Sequence, residues 1–287
     1  LKSDLQKRIE EYRKITFGIS EKEKLRNQKD AIDFVNKRSF VLFHPSKDVL
    51  LPSLWVATAG DRPVPNQHDD PGHITWQWKD ELLDKQVWHY GRLIRKRMTM
   101  VSLAFFPNFY ALSPNYGDYE NDYLVQYKAG NMIFEAKQIY EALLENGPLN
   151  TLDLRKKAGM EGTKNQYRFS KGINQLQIEL KISPVGIAEV GRWKYSFIYD
   201  IVPRYQPEIE QASRAISVSQ AERELVFSYL KSVGGATMND IRKLFSWTAK
   251  RTNKVISGLE NDPQKRIHLA EEMSDGEAFY CLSELLI

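Results

Sequence analysis

The sequence predicts an α+β fold, mainly helical, built from tandem winged helix-turn-helix units. Three observations predict it. Between residues 134 and 199 a helical apolar pattern, a short helix, a longer helix and a two-stranded hairpin follow one another, the order of a winged helix. The same order returns 87 residues later. The chain has 287 residues, 42% of them hydrophobic and 27% charged, so it folds around cores. At roughly 150 residues per domain that is about two domains, which the repeat refines to three modules. The expected boundaries are 1–130, an N-terminal winged-helix-like module with a long His/Trp-rich loop, then 131–205 and 216–287.

The elements follow from local pattern. Ser20 with Glu23 has capping-box spacing. Behind it Ala31, Ile32, Phe34 and Val35 recur at helical spacing, and Phe40 to Phe43 reads as a short strand. Prolines and glycines crowd 45–72, which reads as a mostly ordered loop. Four of the five histidines and four of the six tryptophans lie between His44 and His89, so that loop packs against something. Trp76 and Trp78 alternate around Gln77 in a strand-like way and are expected on one side. A helix from Phe134 to Glu145 stops at Gly147; Asp153-Leu154-Arg155-Lys156 marks a short helix, and Phe169, Ile173, Leu176 and Leu180 mark a longer one. Strands are expected at Ile182–Ala188 and Trp193–Tyr199 around Gly191. In the second copy, Phe227, Leu230 and Gly234 match Tyr140, Leu143 and Gly147, and Asp240-Ile241-Arg242-Lys243 matches the short helix. A helix from Trp247 to Glu260, strands at Ile267–Ala270 and Phe279–Leu282, and a Ser274-Asp275-Gly276 turn close it. Pro203–Ile216, poor in apolar residues, reads as the linker.

Charge is local. The net value is only +4, from 41 Lys+Arg against 37 Asp+Glu. Yet Lys85–Met100 holds Lys85, Arg92, Arg95, Lys96 and Arg97 with no acid, and Arg242–Lys254 holds Arg242, Lys243, Lys250, Arg251 and Lys254 with none. Two +5 patches on an acidic remainder are what phosphate-backbone binding requires, through local counterion release. On the longer helices, Lys164, Asn165, Gln166, Arg168 and Lys171 in one copy and Lys250, Arg251, Asn253 and Lys254 in the other can reach phosphates or base edges. A solvated helix face is the plainer reading, and winged helices also serve as protein-protein modules. Gln175-Leu176-Gln177 flanks a buried seam and suits a structural or DNA-backbone role.

Other chemistries are narrowed. Lone Cys281 excludes a disulfide framework and a multi-thiolate zinc site. No Walker-A loop, dinucleotide-binding glycine pattern or nucleophile elbow is present. No run approaches about 18 apolar residues, and the Lys- and Glu-rich start does not read as a signal peptide. The expected setting is cytoplasmic and nucleoid-associated, with no membrane partner. His68-Asp69-Asp70-Pro71-Gly72-His73 gathers acid–base groups, alternatively an Asx-type turn before Pro71-Gly72. Its spacing fits no established metal pattern, and no cofactor is expected. Trp76, Trp78 and Trp88 can stack on exposed bases or pack in the core.

Leu51-Pro52-Ser53-Leu54-Trp55, His68-Asp69-Asp70-Pro71-Gly72 with Trp76-Gln77-Trp78-Lys79-Asp80-Glu81-Leu82, and the span Trp88–Tyr110 resemble the AlkZ/YcaQ family of winged-helix DNA glycosylases, in its shorter AlkZ-related branch. Glu135-Ala136-Lys137-Gln138-Ile139-Tyr140 and Ile198-Tyr199-Asp200-Ile201-Val202-Pro203-Arg204 fit as well. The resemblance covers most of the chain and implies tandem winged helices, double-stranded DNA as partner, possibly damaged, and excision of alkylated or crosslinked bases. Family members use Gln-apolar-Gln or Gln-apolar-Asp to handle the attacking water. Here the corresponding stretch is Val41-Leu42-Phe43-His44, so that motif is not intact. His44 is the remaining polar position and the first substitute base; alternatively it only ends the strand. Otherwise catalysis is absent or moves to Asp69, Asp70, Asp80 or Glu81. The resulting expectation is a DNA-binding protein related to base-excision glycosylases, with His44, Asp69, Asp70 and Asp80 as catalytic candidates and Trp76 and Trp78 for stacking. A non-catalytic regulator or repair accessory protein is the alternative, and a protein-interaction scaffold a third.

Overall fold

The computed structural model describes residues 2–67, 69–115, 117–264, 266–272 and 277–286. His68 and the Ser274-Asp275-Gly276 turn lie outside the described residues. The chain starts with α1 (Lys2–Thr16), then α2 (Gln28–Arg38), β1 (Phe40–Leu42), α3 (Leu54–Ala59), α4 (Ile74–Leu82), β2 (Trp88–Arg92) and β3 (Met98–Ser102). Helices α5 (Phe106–Tyr110) and α6 (Asp122–Lys128) lead to α7 (Phe134–Asn146), β4 (Leu149–Asn150), α8 (Thr151–Lys157), α9 (Gln166–Ile178), β5 (Ile182–Ala188) and β6 (Ser196–Ile201). After α10 (Val202–Tyr205) and α11 (Ile209–Arg214) come α12 (Val218–Val233), β7 (Gly235–Thr237), α13 (Met238–Phe245), α14 (Ala249–Glu260), β8 (Ile267–Glu272) and β9 (Ala278–Leu282).

The fold is α+β and mainly helical. Helix, strand, helix, helix and hairpin occur three times, once more than the sequence repeat shows. Each unit closes an antiparallel sheet of one strand order, β1-β3-β2, β4-β6-β5 and β7-β9-β8. In each, a side chain caps the helix that follows the first strand. Ser53 accepts from Val56 N, Asn150 from Leu152 N and Asp153 N, and Thr237 from Asp240 N. The second and third units even share a bulge, between Pro184 and Gly186 in β5 and between Leu269 and Glu271 in β8. Gly147 and Gly234 end α7 and α12 at φ 78° and 79°, a conformation glycine enters without a Cβ clash.

Several local expectations change. The cap of the first apolar helix is Asn27, whose side chain accepts from Asp30 N at 2.9 Å; Ser20 and Glu23 close a backbone turn instead. The 45–72 loop contains α3. Trp76 and Trp78 lie on helix α4, so residues two apart point to different sides. The second strand of the middle unit starts at Ser196, which leaves Trp193 in the turn, and α14 starts at Ala249 behind its Thr248 cap. The segment Pro203–Ile216, read as a linker, carries α10 and α11, and buried Ile209 locks it into a core.

One apolar cluster joins the first and third units, with Phe40, Leu42 and Phe106 packed with Leu225, Tyr229 and Leu244. Helix α1 buttresses α12: Tyr12, Arg13 and Thr16 donate to the carbonyls of Lys231, Val233 and Ser232 at 2.8, 2.8 and 2.7 Å. Another cluster fills the first unit and is touched by Ile187 and Phe197 of the second. That contact brings the middle hairpin against α4. No helix among the described residues is long and apolar enough to cross a membrane.

Candidate active site and nucleic-acid interface

β1 ends in the core and releases His44 at its mouth. Leu42 is fully buried, Phe43 nearly so, and Trp55 N donates to Phe43 O at 3.1 Å, which sets the strand end beside α3. The His44 ring then rests among Phe43, Trp76 and Trp55, with centroids 4.4, 5.7 and 5.9 Å away. Its Nε2 is covered and has no hydrogen-bond partner among the described residues. Burial, assisted by the charges of His73 and Lys79, lowers the imidazole to about 4. The ring is therefore neutral at physiological pH.

Lys79 and Asp80 follow on α4. The Lys79 side chain is 0% exposed, yet it is paired: Nζ lies 2.5 Å from Asp80 Oδ1 and donates to Tyr195 Oη at 2.8 Å. Tyr195 in turn donates to Asp80 Oδ1 at 2.9 Å. Around the ammonium stand Phe197, Trp76, Tyr90, Tyr195 and Phe43, at 4.7–5.9 Å from their centroids. Burial lowers the Lys79 pKa against the opposing pull of Asp80, and burial followed by Asp80 raises that of Tyr195. Asp80 keeps 24% of its side chain exposed and Tyr195 is 39% exposed, so the network opens to solvent through both while Lys79 is sealed behind them.

The other acidic candidates separate from this corner. Asp70 is committed: its oxygens accept from both terminal nitrogens of Arg62 at 2.9 and 2.6 Å, and one also caps Gly72 N at 2.8 Å. Arg62, followed by the Gly72 amide, holds this carboxyl below its ordinary value. The Asx-type turn is thus present. A Cβ on Gly72 would come within 2.7 Å of Trp55 and Ala59, so close approach of that turn to α3 requires glycine. Asp69 is exposed on the same turn. Glu81 accepts from Gln77 at 2.7 Å and from Gln28, tying α4 to α2. Trp76 is 38% exposed and available for stacking; Trp78, at 5%, belongs to the core, which corrects its assignment as a stacking residue.

The bases fall on three surfaces. Arg92, Arg95, Lys96 and Arg97 form the β2–β3 turn, whose tip residues Arg95 and Lys96 are exposed and left-handed, at φ 50° and 59°. Arg97 pairs with Asp48 at 3.2 Å, and Phe43 N donates to Met98 O at 2.9 Å, so this turn flanks the loop that follows His44. On α9 and just before it, Lys164 and Lys171 are exposed, while Arg168 is tied to Glu135 at 2.8 Å. On α14, Lys250 and Lys254 are exposed, while Arg251 is tied to Glu222 at 2.5 Å. Gln175 accepts from Ile133 N at 3.0 Å and Gln177 is buried, which agrees with a structural role for that pair.

Sequence reasoning missed four groups. Lys79 and Tyr195 carry no local signal, being 116 residues apart. Trp193, 80% exposed with the Arg192 guanidinium 5.2 Å from its ring centroid, sits between two bases at a glycine turn, a local pattern that was readable in the sequence. Tyr167, 77% exposed beside Arg168, was legible in the same way.

Residues 25–246 match the family profile of the AlkZ-related proteins. The chain belongs to the AlkZ-related family. The match runs from the segment before α2 to the end of α13. Among solved structures, the DNA glycosylase AlkZ of Streptomyces sahachiroi is similar, with a TM-score of 0.56 and 11% identity over 97% of this chain and 70% of that one. At such identity the likeness is one of fold. No curated protein sequence matches the chain significantly. In this AlkZ-related protein Leu42 and Phe43 are core residues, and His44 is the polar residue that follows them, half-buried among aromatic rings.

Proposed function

We propose that this AlkZ-related protein binds duplex DNA through three winged-helix units, bounded near 1–130, 131–205 and 216–287, and hydrolyses the N-glycosidic bond of an alkylated or crosslinked base. The basic β2–β3 turn, the exposed lysines of α9 and α14, and the Arg192-Trp193-Lys194 turn supply phosphate and stacking contacts. Family membership and the fold likeness to a DNA glycosylase support the reading.

The observation that carries the chemistry is the neutral His44, its Nε2 unpartnered, beside exposed Trp76 and the ion-paired Asp80. An extruded base that stacks on or displaces Trp76 uncovers Nε2. Water then attacks C1′ while the C1′–N bond breaks and its electron pair leaves with the base. His44 takes the proton of the attacking water, and the Asp80 carboxylate, oriented by Lys79 and Tyr195, stabilises positive charge on the sugar. The step consumes water alone.

Duplexes carrying one alkylated or crosslinked base test this, with abasic sites read by alkaline strand cleavage. Wild-type protein releases the base, and His44→Ala slows release about 100–10,000-fold. Absence of abasic sites with the wild type, or unchanged rates in both His44→Ala and Asp80→Asn, overturns the assignment. Tight, salt-dependent duplex binding without excision would instead favour the accessory or regulatory role, which fits the apolar Leu42 where the family carries glutamine.

A further inference from the structure

The chain segments that carry the two +5 patches, 85–100 in the first unit and 242–254 in the third, both line a cavity that the catalytic reading does not use, and Arg95 is the basic residue among its lining residues. It has a volume of about 290 Å³, at the low end for small-molecule sites, which run roughly 300–1,000 Å³. Leu93 and Arg95 of the β2–β3 turn line one side, Leu244, Phe245 and Trp247 line another, and Glu179 of the middle unit completes it. Three of its lining residues, Arg95, Leu180 and Ser246, hold positive φ without being glycine, so strained backbone collects at this junction.

The chemistry of the lining is specific. Phe245 and Trp247 are stacked, with centroids 4.7 Å apart and planes inclined by 25°, and the Arg251 guanidinium lies 4.7 Å from the Trp247 centroid. The wall is an aromatic pair with a cation beside it. Glu179 Oε1 accepts from Gln175 at 2.7 Å, whereas Oε2 is buried with no hydrogen-bond partner among the described residues. An unsatisfied buried acceptor costs about 1–3 kcal/mol, which a donor arriving in the cavity recovers. Exposed Arg95 lines the cavity, and exposed Lys96 follows it in the chain.

We propose that this cavity holds one unpaired nucleobase of the bound DNA, with its phosphate on Arg95 and Lys96. The base lies along the Phe245–Trp247 stack and turns a ring or exocyclic N–H toward Glu179. An apolar ligand leaves Arg95, Lys96 and Glu179 unused, and a free phosphate leaves the aromatic wall unused; a nucleotide engages all of them. Because the β2–β3 turn also flanks the loop after His44, the nucleotide held here is a neighbour, along or across the duplex, of the one presented to His44. This rests on the DNA-binding part of the proposed function and not on catalysis.

The test uses the full chain and two duplexes of the same sequence, one fully paired and one with a single bulged 5-iodouracil nucleotide. The bulged duplex binds about tenfold more tightly, within the range set by a single base stack. Irradiation crosslinks it to the peptide containing Phe245 and Trp247. Leu93→Trp, which fills the cavity, abolishes the preference and leaves affinity for the paired duplex unchanged. Arg95→Asn, which tolerates the left-handed conformation, weakens the preference severalfold. Equal affinity for the two duplexes, or a crosslink confined to the Trp76 region, overturns the proposal, as does a preference that survives in a folded Leu93→Trp protein. If Leu93→Trp does not fold, the crosslink position decides alone. The catalytic reading stands or falls separately on abasic-site yield, and loss of salt-dependent binding to the paired duplex would defeat the DNA reading itself.

Discussion

Two lysines are wholly buried among the described residues, and their surroundings differ in a way that separates structure from chemistry. Lys181 donates to Asp122 Oδ1 at 2.9 Å and to Asn115 Oδ1 at 2.8 Å, and the Asp122 side chain is only 3% exposed. The pair is sealed, ties α6 to the end of α9, and faces Tyr140 at 5.6 Å. Lys79 has the same ingredients, a carboxylate, a neutral oxygen and aromatic rings, but its carboxylate opens to solvent and its cage borders the unpartnered His44. Breaking a buried ion pair by removing one partner strands a charge, and the penalty falls as that charge gains access to water. Closed networks therefore act as struts, and open ones leave a group free to act.

The sharpest way to break this comparison is Lys181→Met. It strands Asp122 in the interior and lowers unfolding stability by about 3–5 kcal/mol, read from urea midpoints. Lys79→Met should cost less, about 1–3 kcal/mol, because Asp80 can hydrate. It should nevertheless slow base release by more than Lys181→Met does in protein that remains folded, since Asp80 and Tyr195 lose their anchor. An equal stability loss in both variants, with no added effect on base release, would dissolve the distinction.

Acid sensitivity sharpens it further. His44 titrates at about 4 and His89, stacked 4.0 Å from Phe106 in the core, at about 3, both lowered by burial from an ordinary value near 6.5. Between these values and 6.5 the unfolded chain binds more protons than the folded one. The stability tied to these neutral rings is complete above pH 6.5 and lost as pH falls toward 4 and 3. Urea midpoints should thus drop between pH 7 and pH 5, and His89→Phe should lessen the drop. Base release limited by His44 should persist below pH 6 and fail only near pH 4. The smallest effect belongs to the surface: Lys254→Ala lowers DNA affinity modestly and reduces the slope of log K against log salt by about 1.

Legibility in the sequence followed the range of the interactions. The second and third units were readable because their apolar spacing, the Asp153 and Asp240 motifs and the Gly147 and Gly234 stops are local. The first unit was expected to be winged-helix-like, but its element order was not readable, because the loops around α3 separate its elements and the alternation of Trp76 and Trp78 imitates a strand. Among the proposed site residues, His44, Asp80 and Trp76 were named from residue type and resemblance. Asp70 was read as a candidate acid, yet the structure ties it to Arg62 and to Gly72 N. Sequence alone could not choose between that and an active carboxylate, since both need the same residue beside the same turn.

By itself the sequence determined the repeat and the two basic patches. These depend on residue identity and on neighbours within a few turns of chain. Only the tertiary structure decided that Tyr195 meets Lys79 across 116 residues, that His44 is neutral with its Nε2 unpartnered among the described residues, and that the segments carrying both basic patches line one cavity. Desolvation and hydrogen-bond satisfaction depend on what the whole fold places around a group, and no local spacing records that.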